Sequence, residues 1–204
     1  MGKTTQPKTK RGIERRAKIL AAAEAGMGVQ GVSAASIAEI TREADTALGT
    51  FYIYFSNKEE VFRELVLEMG KVTRQMVAEA IAEAPDRLAA ERAGLAAFLN
   101  FVAKRPALYR IVEEARFVDP DAYQRYFTSF GDAYAAQLRA AESSGEISAG
   151  DADVRSWALM GMAKALGDRY VLWDTVPDID RVVNEAHRMI CRGLAPERDE
   201  RRDV

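Results

Sequence analysis

Apolar residues recur along the chain at steps of three and four, the spacing of amphipathic helices, and no convincing strand or internal repeat interrupts them. Ile13, Ala17, Leu20 and Ala21 mark a first helix over 12–27, and Val61, Phe62, Leu65 and Met69 mark a long one over 57–83 that Pro85 closes. Further helices are expected over 86–103, 106–117, 120–143, 151–173 and 178–194. Pro106, Pro120, Pro177, Gly145 and Gly150 fall at the breaks, with Asp151 and Asp178 as N-caps. The expected fold class is all-α.

Between the first two helices, Val32 to Glu59 reads as two short helices joined by a tight turn. Ser36-Ile37-Ala38-Glu39 fits a capping box, in which the Ser hydroxyl accepts from the Glu39 N–H and the Glu39 side chain reaches back to the Ser36 N–H. Ser56-Asn57-Lys58-Glu59 has the same form. The intervening LGTFYIYF is aromatic and β-branched enough to pass for a strand by propensity. Context favours a helix, because both flanks are capped and no partner strand is in sight. Phe51 and Phe55 then point inward, leaving Thr46, Ala47, Leu48, Thr50, Tyr52 and Tyr54 outside. This is a helix-turn-helix layout.

A helix that enters a major groove needs short side chains at its N-terminal end and phosphate ligands around it. Ala47 and Leu48 suit thymine methyls, Thr46 suits a hydrogen bond, Thr50 can meet a base edge, and Gly49 permits close backbone approach. Upstream, Arg11, Arg15, Arg16 and Lys18 join the polar residues 1–10 in a basic run opposed only by Glu14. That run is either a solvated tail or an arm that neutralises phosphates.

The stretch resembles the TetR family of transcription regulators. The match runs without a gap through Ile19-Leu20, Ala22-Ala23, Gly31, Ile40, Ala44, Gly49-Thr50-Phe51-Tyr52, Phe55 and Lys58-Glu59. Gly26 and Met27 depart from the family's Leu and Phe, and Asp45 stands where the turn Gly is usual. Asp tolerates the left-handed conformation, and Gly26 weakens the first helix by roughly 1 kcal/mol against Ala. The resemblance implies that Tyr52, Tyr54 and Lys58 hold phosphates, as does the helix start at Ser36. It implies an effector pocket among the later helices and a homodimer on a two-fold symmetric operator in double-stranded DNA.

Composition adds limits. The chain has 204 residues, 48% hydrophobic and 29% charged, enough for a sizeable core. Its net charge of −2 is unevenly spread: residues 1–63 hold 10 Lys/Arg against 7 Asp/Glu, the remainder 19 against 24. One His and one Cys, His187 and Cys191, cannot build a zinc site of Cys and His ligands within one chain. No Gly-rich phosphate loop occurs either, so no cofactor, metal or catalytic residue is assigned. The single Cys and the lack of a long apolar run point to a cytoplasmic protein without membrane contact.

The later helices carry patterned aromatics. Tyr123, Tyr126, Phe127, Phe130 and Tyr134 step along one helix, with Phe98, Phe101, Tyr109, Phe117, Trp157 and Met160 on its neighbours. They form either a packed core or a pocket for an aromatic or acyl-type effector, with Arg110, Arg116 and Arg169 available for an anionic group. Ile179, Val182, Val183, Ala186, Met189 and Ile190 form an apolar stripe, and Ala158, Gly161 and Ala165 have close-packing spacing. The stripe packs either within the chain or against a second copy; the resemblance implies the second.

The expected organisation is a basic tail over 1–10 that is disordered, a three-helix DNA-binding domain over 11–56, an effector and dimerisation bundle over 57–195, and a charged tail over 196–204. The expected function is a ligand-responsive DNA-binding regulator, a repressor in the family's usual mode. The alternative is a helical ligand- or partner-binding protein whose helix-turn-helix is only structural.

Overall fold

The structure, a computed structural model, describes residues 7, 9–173 and 178–196. Most of both expected tails and the break at Pro177 lie outside them. Among the described residues the chain forms nine α-helices and no strand: α1 Lys10–Gln30, α2 Ile37–Glu43, α3 Leu48–Tyr54, α4 Lys58–Ile81, α5 Arg87–Lys104, α6 Pro106–Val118, α7 Pro120–Ser143, α8 Ala152–Gly167 and α9 Ile179–Leu194. A π-helical turn, Asp168–Leu172, follows α8. Asp151 caps α8 by accepting from the N–H groups of Asp153 and Val154, and Asp178 caps α9 by accepting from that of Arg181. The cap of α4 is shifted by one residue from the expected Ser56. Asn57 Oδ1 accepts from the Glu60 N–H at 2.8 Å, and Glu60 accepts from the Ser56 N–H at 2.6 Å.

The helices divide into two compact units, Met1–Lys71 with Arg105–Tyr126, and Val72–Lys104 with Phe127–Val204. The first holds α1–α3, α6, the first half of α4 and the start of α7. Its core is apolar: Ile19, Met27, Phe51, Phe55, Val61, Phe62, Val66, Met69 and Ile111 are buried. Each large side chain so buried contributes roughly 1.5–3 kcal/mol. The α1–α6 contact depends on Gly28, where a Cβ would meet the Ala107 Cα at 2.8 Å. Beyond α1, Gly31 takes φ 84°, which lets the chain turn while Glu114 on α6 receives the Val32 N–H at 3.0 Å. Arg105 closes the same edge with two 2.7 Å hydrogen bonds to Glu24.

In the second unit α5 packs against α8 and α9. Gly94 fits against Val77 and Ile81 of α4, and Gly167 against Phe98, Leu99 and Val102. A charged cluster lies inside. Arg87 donates to Glu91 Oε1 at 2.5 and 2.8 Å and to Gln137 at 2.9 Å, while its backbone N–H donates to Glu146 at 2.6 Å. Tyr134 donates its phenol proton to the other Glu91 oxygen, and the Arg87 guanidinium lies 5.3 Å from the Tyr134 ring centroid. Burial and the Glu91 carboxylate push the Tyr134 hydroxyl well above its usual pKa.

Candidate nucleic-acid interface

The turn between α2 and α3 is set by local chemistry. Ser36 and Glu39 complete the expected capping box at the start of α2. At its end the Thr46 N–H donates to the Thr41 carbonyl at 2.9 Å and the Asp45 N–H to the Arg42 carbonyl at 3.2 Å, a Schellman closure. Asp45 occupies the left-handed position with φ 47°, so Asp does there what a turn glycine does.

α3 is held from beneath. Phe51 and Phe55 are fully buried with ring centroids 5.7 Å apart. The Arg16 guanidinium sits 5.0 Å from the Phe55 centroid and is ion-paired to Glu64. With those rings fixed, Ala47, Leu48, Gly49, Tyr52 and Ile53 face out, while Thr46, Thr50 and Tyr54 are half-buried. Tyr54 reaches back to α1, where a Cβ at Gly12 would lie 3.5 Å from its hydroxyl. On α1 itself, Lys18 is exposed and Arg15 half-buried.

Ile53 is absent from the sequence-derived set, although the signal was available: it follows Phe51 by two residues, roughly 200° around a helix, and so opposes the core. Two expected phosphate ligands are committed elsewhere. Lys58 Nζ donates to the carbonyls of Val32, Ser33 and Ala35 at 2.7, 3.2 and 2.9 Å, which uses all three ammonium protons to tie the segment before α2 onto α4. The Ser36 hydroxyl accepts from the Glu39 N–H and donates to Glu39 Oε2 at 2.8 Å. Both residues shape the head instead of facing outward with free donors.

The expected effector residues fall in both units. In the first, Tyr109 is buried, Tyr123 half-buried, and Arg110 and Phe117 exposed, Phe117 at 83%. In the second, Phe127 stacks on Trp157 with centroids 6.5 Å apart, and both Trp157 and Met160 lie against Gly131. Phe101 is buried there, Phe98 and Phe130 half-buried, and Arg169 is exposed, 4.9 Å from the Tyr170 centroid. A separate cavity of about 530 Å³ in the first unit, between α1 and the start of α4, has none of these residues in its wall. Sequence reading missed the Arg87–Glu91 cluster; its signal was an opposite-charge pair four apart in a helix otherwise rich in Ala and Leu.

The apolar stripe of α9 is corrected in part. Val182, Val183, Ala186 and Ile190 are buried within the single chain, in the unit where α9 packs on α5, and so are not free for a partner. Ile179 is half-buried and Met189 exposed. On α8, Ala158, Gly161 and Ala165 are exposed beside Val154 and Trp157. His187 Nε2 lies 2.9 Å from the Leu88 carbonyl and 3.3 Å from Cys191 Sγ.

A capped helix, a Schellman turn and a second helix with a bare outer face define a helix-turn-helix head of the DNA-binding class. Residues 19–65 match the family model described as bacterial regulatory proteins, tetR family. The chain is 32% identical over 73 residues to the HTH-type transcriptional regulator YdgC of Bacillus subtilis (strain 168), 36% of this chain and 37% of that protein's length. The family model lies in the N-terminal part of the chain, which is similar there to the tetR family, and the chain spans little more than a third of the curated relative's length. Solved structures share the fold across nearly the whole chain. One is the fatty acid degradation regulator FadR from Bacillus halodurans, at 20% identity and TM-score 0.78 over 91% of this chain and 96% of that one. Another is AibR in complex with isovaleryl coenzyme A and operator DNA, at 15% identity and TM-score 0.70 over 86% of this chain and 97% of that one. Among the described residues no helix is long and apolar enough to cross a membrane.

Proposed function

We propose that the chain is a sequence-specific DNA-binding transcriptional regulator of the bacterial cytoplasm. It reads a two-fold symmetric operator as a homodimer and is released by a small apolar or acyl-type effector. The observation that carries this reading is α3, a short helix anchored by Phe51 and Phe55 whose outer face holds small and apolar side chains. Lys18, Arg15 and the basic run before them supply positive charge for phosphates.

The dimer contact in this reading is the exposed row Val154, Ala158, Gly161 and Ala165 on α8 with Met189 on α9, where small residues allow close helix approach. The effector site is the aromatic group Phe127, Trp157 and Met160 of the second unit. The ligands of relatives support the acyl class: AibR was solved with isovaleryl coenzyme A as well as operator DNA, and FadR is a fatty acid degradation regulator. Release follows if the ligand binds one state of the bundle better than the other; equal affinity for both states shifts nothing.

Fluorescence anisotropy with the DNA upstream of the chain's own gene, against scrambled DNA at two salt concentrations, tests the reading. Salt-sensitive binding at least ~10³-fold tighter to the native segment is expected. Adding isovaleryl and longer acyl coenzyme A thioesters is expected to weaken it. Equal, weak binding to both DNAs would sink DNA reading, and specific binding indifferent to every thioester and free acid would sink the effector class.

A further inference from the structure

The outer face of α3 has an unusual chemistry for a surface helix. Leu48, Tyr52 and Ile53 are 51, 53 and 59% exposed, although the helix has only seven residues. Leu48 and Tyr52 are four apart, as are Gly49 and Ile53, so the four form two adjacent rows on one side. Nothing lies within 4 Å of where a Gly49 Cβ would stand, so the backbone there is open to close approach. The other hydrogen-bonding side chains of the segment, Thr46, Thr50 and Tyr54, are half-buried, which leaves the Tyr52 phenol as the exposed polar group of α3. Scattered exposed apolar residues need no explanation, but two rows on so short a helix leave apolar area that an occupant would cover.

Base edges in the major groove offer hydrogen-bond donors and acceptors, which this face cannot match with side-chain amides, guanidiniums or carboxylates. They offer one apolar group, the 5-methyl of thymine. We infer that α3 reads its DNA chiefly through thymine 5-methyl groups, with Ile53 and Leu48 as the reading side chains and Gly49 bringing the backbone into the groove. The inference rests on the DNA-reading proposal above and adds the base class it selects. Ile53 is the new specificity residue; its partner Leu48 lies on the adjacent row.

Replacing thymine by uracil removes that methyl and leaves every Watson–Crick and major-groove hydrogen-bonding group in place, so it isolates the contact. The full chain is used to enrich duplexes from a random-sequence pool, and the enriched duplexes are remade with deoxyuridine for thymidine. Each contacted methyl is expected to account for about fourfold in affinity, the value of one buried methylene-sized group. Two or more in a half-site therefore give a thymine-to-uracil ratio above about tenfold. Ile53→Ala and Leu48→Ala, both on exposed positions, are each expected to lower that ratio by about fourfold per half-site while circular dichroism and melting stay unchanged.

Equal affinity for the thymine and uracil duplexes overturns the inference. So does a ratio that neither substitution lowers, because the methyls would then act through the shape of the DNA. If no sequence is enriched at all, DNA reading itself fails and takes this inference with it; that failure shows before any uracil is introduced.

Discussion

The two units differ in where their most connected charged groups lie, although exposed ion pairs such as Arg139 with Asp153 occur in the second as well. In the first, ion pairs and charged hydrogen bonds tie loops and helix ends together at the edge of an apolar core: Arg105 pairs with Glu24 and Arg63 with Asp119, while Lys58 donates to three carbonyls. In the second, Arg87 and Glu91 lie inside, 9 and 3% exposed by side chain, with Tyr134 and Gln137 completing the set. Edge pairs fix where a segment goes and add little energy. An interior pair is neutral while intact and expensive when halved, because the surviving charge has no water. The head is therefore expected to tolerate loss of its charges better than the bundle.

The largest effect that sharpens this contrast is Glu91→Leu. It strands Arg87 and Tyr134 and should cost about 3–5 kcal/mol in urea unfolding, whereas Arg87→Met with Glu91→Leu together should recover most of it. If the single and double variants are equally unstable, the cluster is not an interacting pair. Next comes Gly28→Ala, whose Cβ would press on the Ala107 backbone at 2.8 Å and should lower stability by about 1–3 kcal/mol. Gly26→Ala has only Gln30 Nε2, at 4.0 Å, within reach and should stabilise by about 0.8 kcal/mol. Finding both glycines equally tolerant would mean that the α1–α6 contact is not limiting.

Lys58→Met should follow at about 1–2 kcal/mol, through loss of hydrogen bonds from a charged donor in a partly exposed site. The slope of DNA affinity against salt should stay unchanged, since the ammonium is already spent on backbone carbonyls. A slope reduced by about one ion would restore it as a phosphate ligand.

The smallest effects are read by pH. Burial alone would raise the Asp119 pKa, but the Ala122 N–H and the Arg63 guanidinium outweigh it and hold the carboxyl below its ordinary value of 3.8. A lowered folded pKa gives stability that is present above that value and lost as pH falls through the folded one, so Asp119→Asn should flatten the acid limb of a stability–pH curve. Tyr134 has the opposite sign. Its raised pKa gives stability that is complete below 10.0 and lost as pH rises further, and Tyr134→Phe should remove that alkaline limb. Limbs unaltered by either change would assign the pH dependence to other groups.

Much of the head was legible because its determinants are local. A capping box spans four residues, a Schellman turn six, and the inward pair Phe51 and Phe55 one helical turn. The helix boundaries followed from prolines and Asp caps for the same reason. Lys58 was misread because its partners lie 23 to 26 residues away, on carbonyls that carry no side-chain signal. Val182, Val183, Ala186 and Ile190 were misread because an apolar stripe states that it will be covered, not by what.

The sequence by itself determined the helices, the turn that Asp45 makes and the helix-turn-helix, since these depend on residues within a few positions of one another. Only the tertiary structure decided which polar groups were used up by distant partners: Lys58 on a backbone 23 to 26 residues away, and Arg87 and Glu91 inside the bundle against Tyr134. It likewise decided that the α9 stripe is covered by its own chain. Periodicity fixes the angle at which a side chain leaves its helix, and packing alone fixes what it meets there.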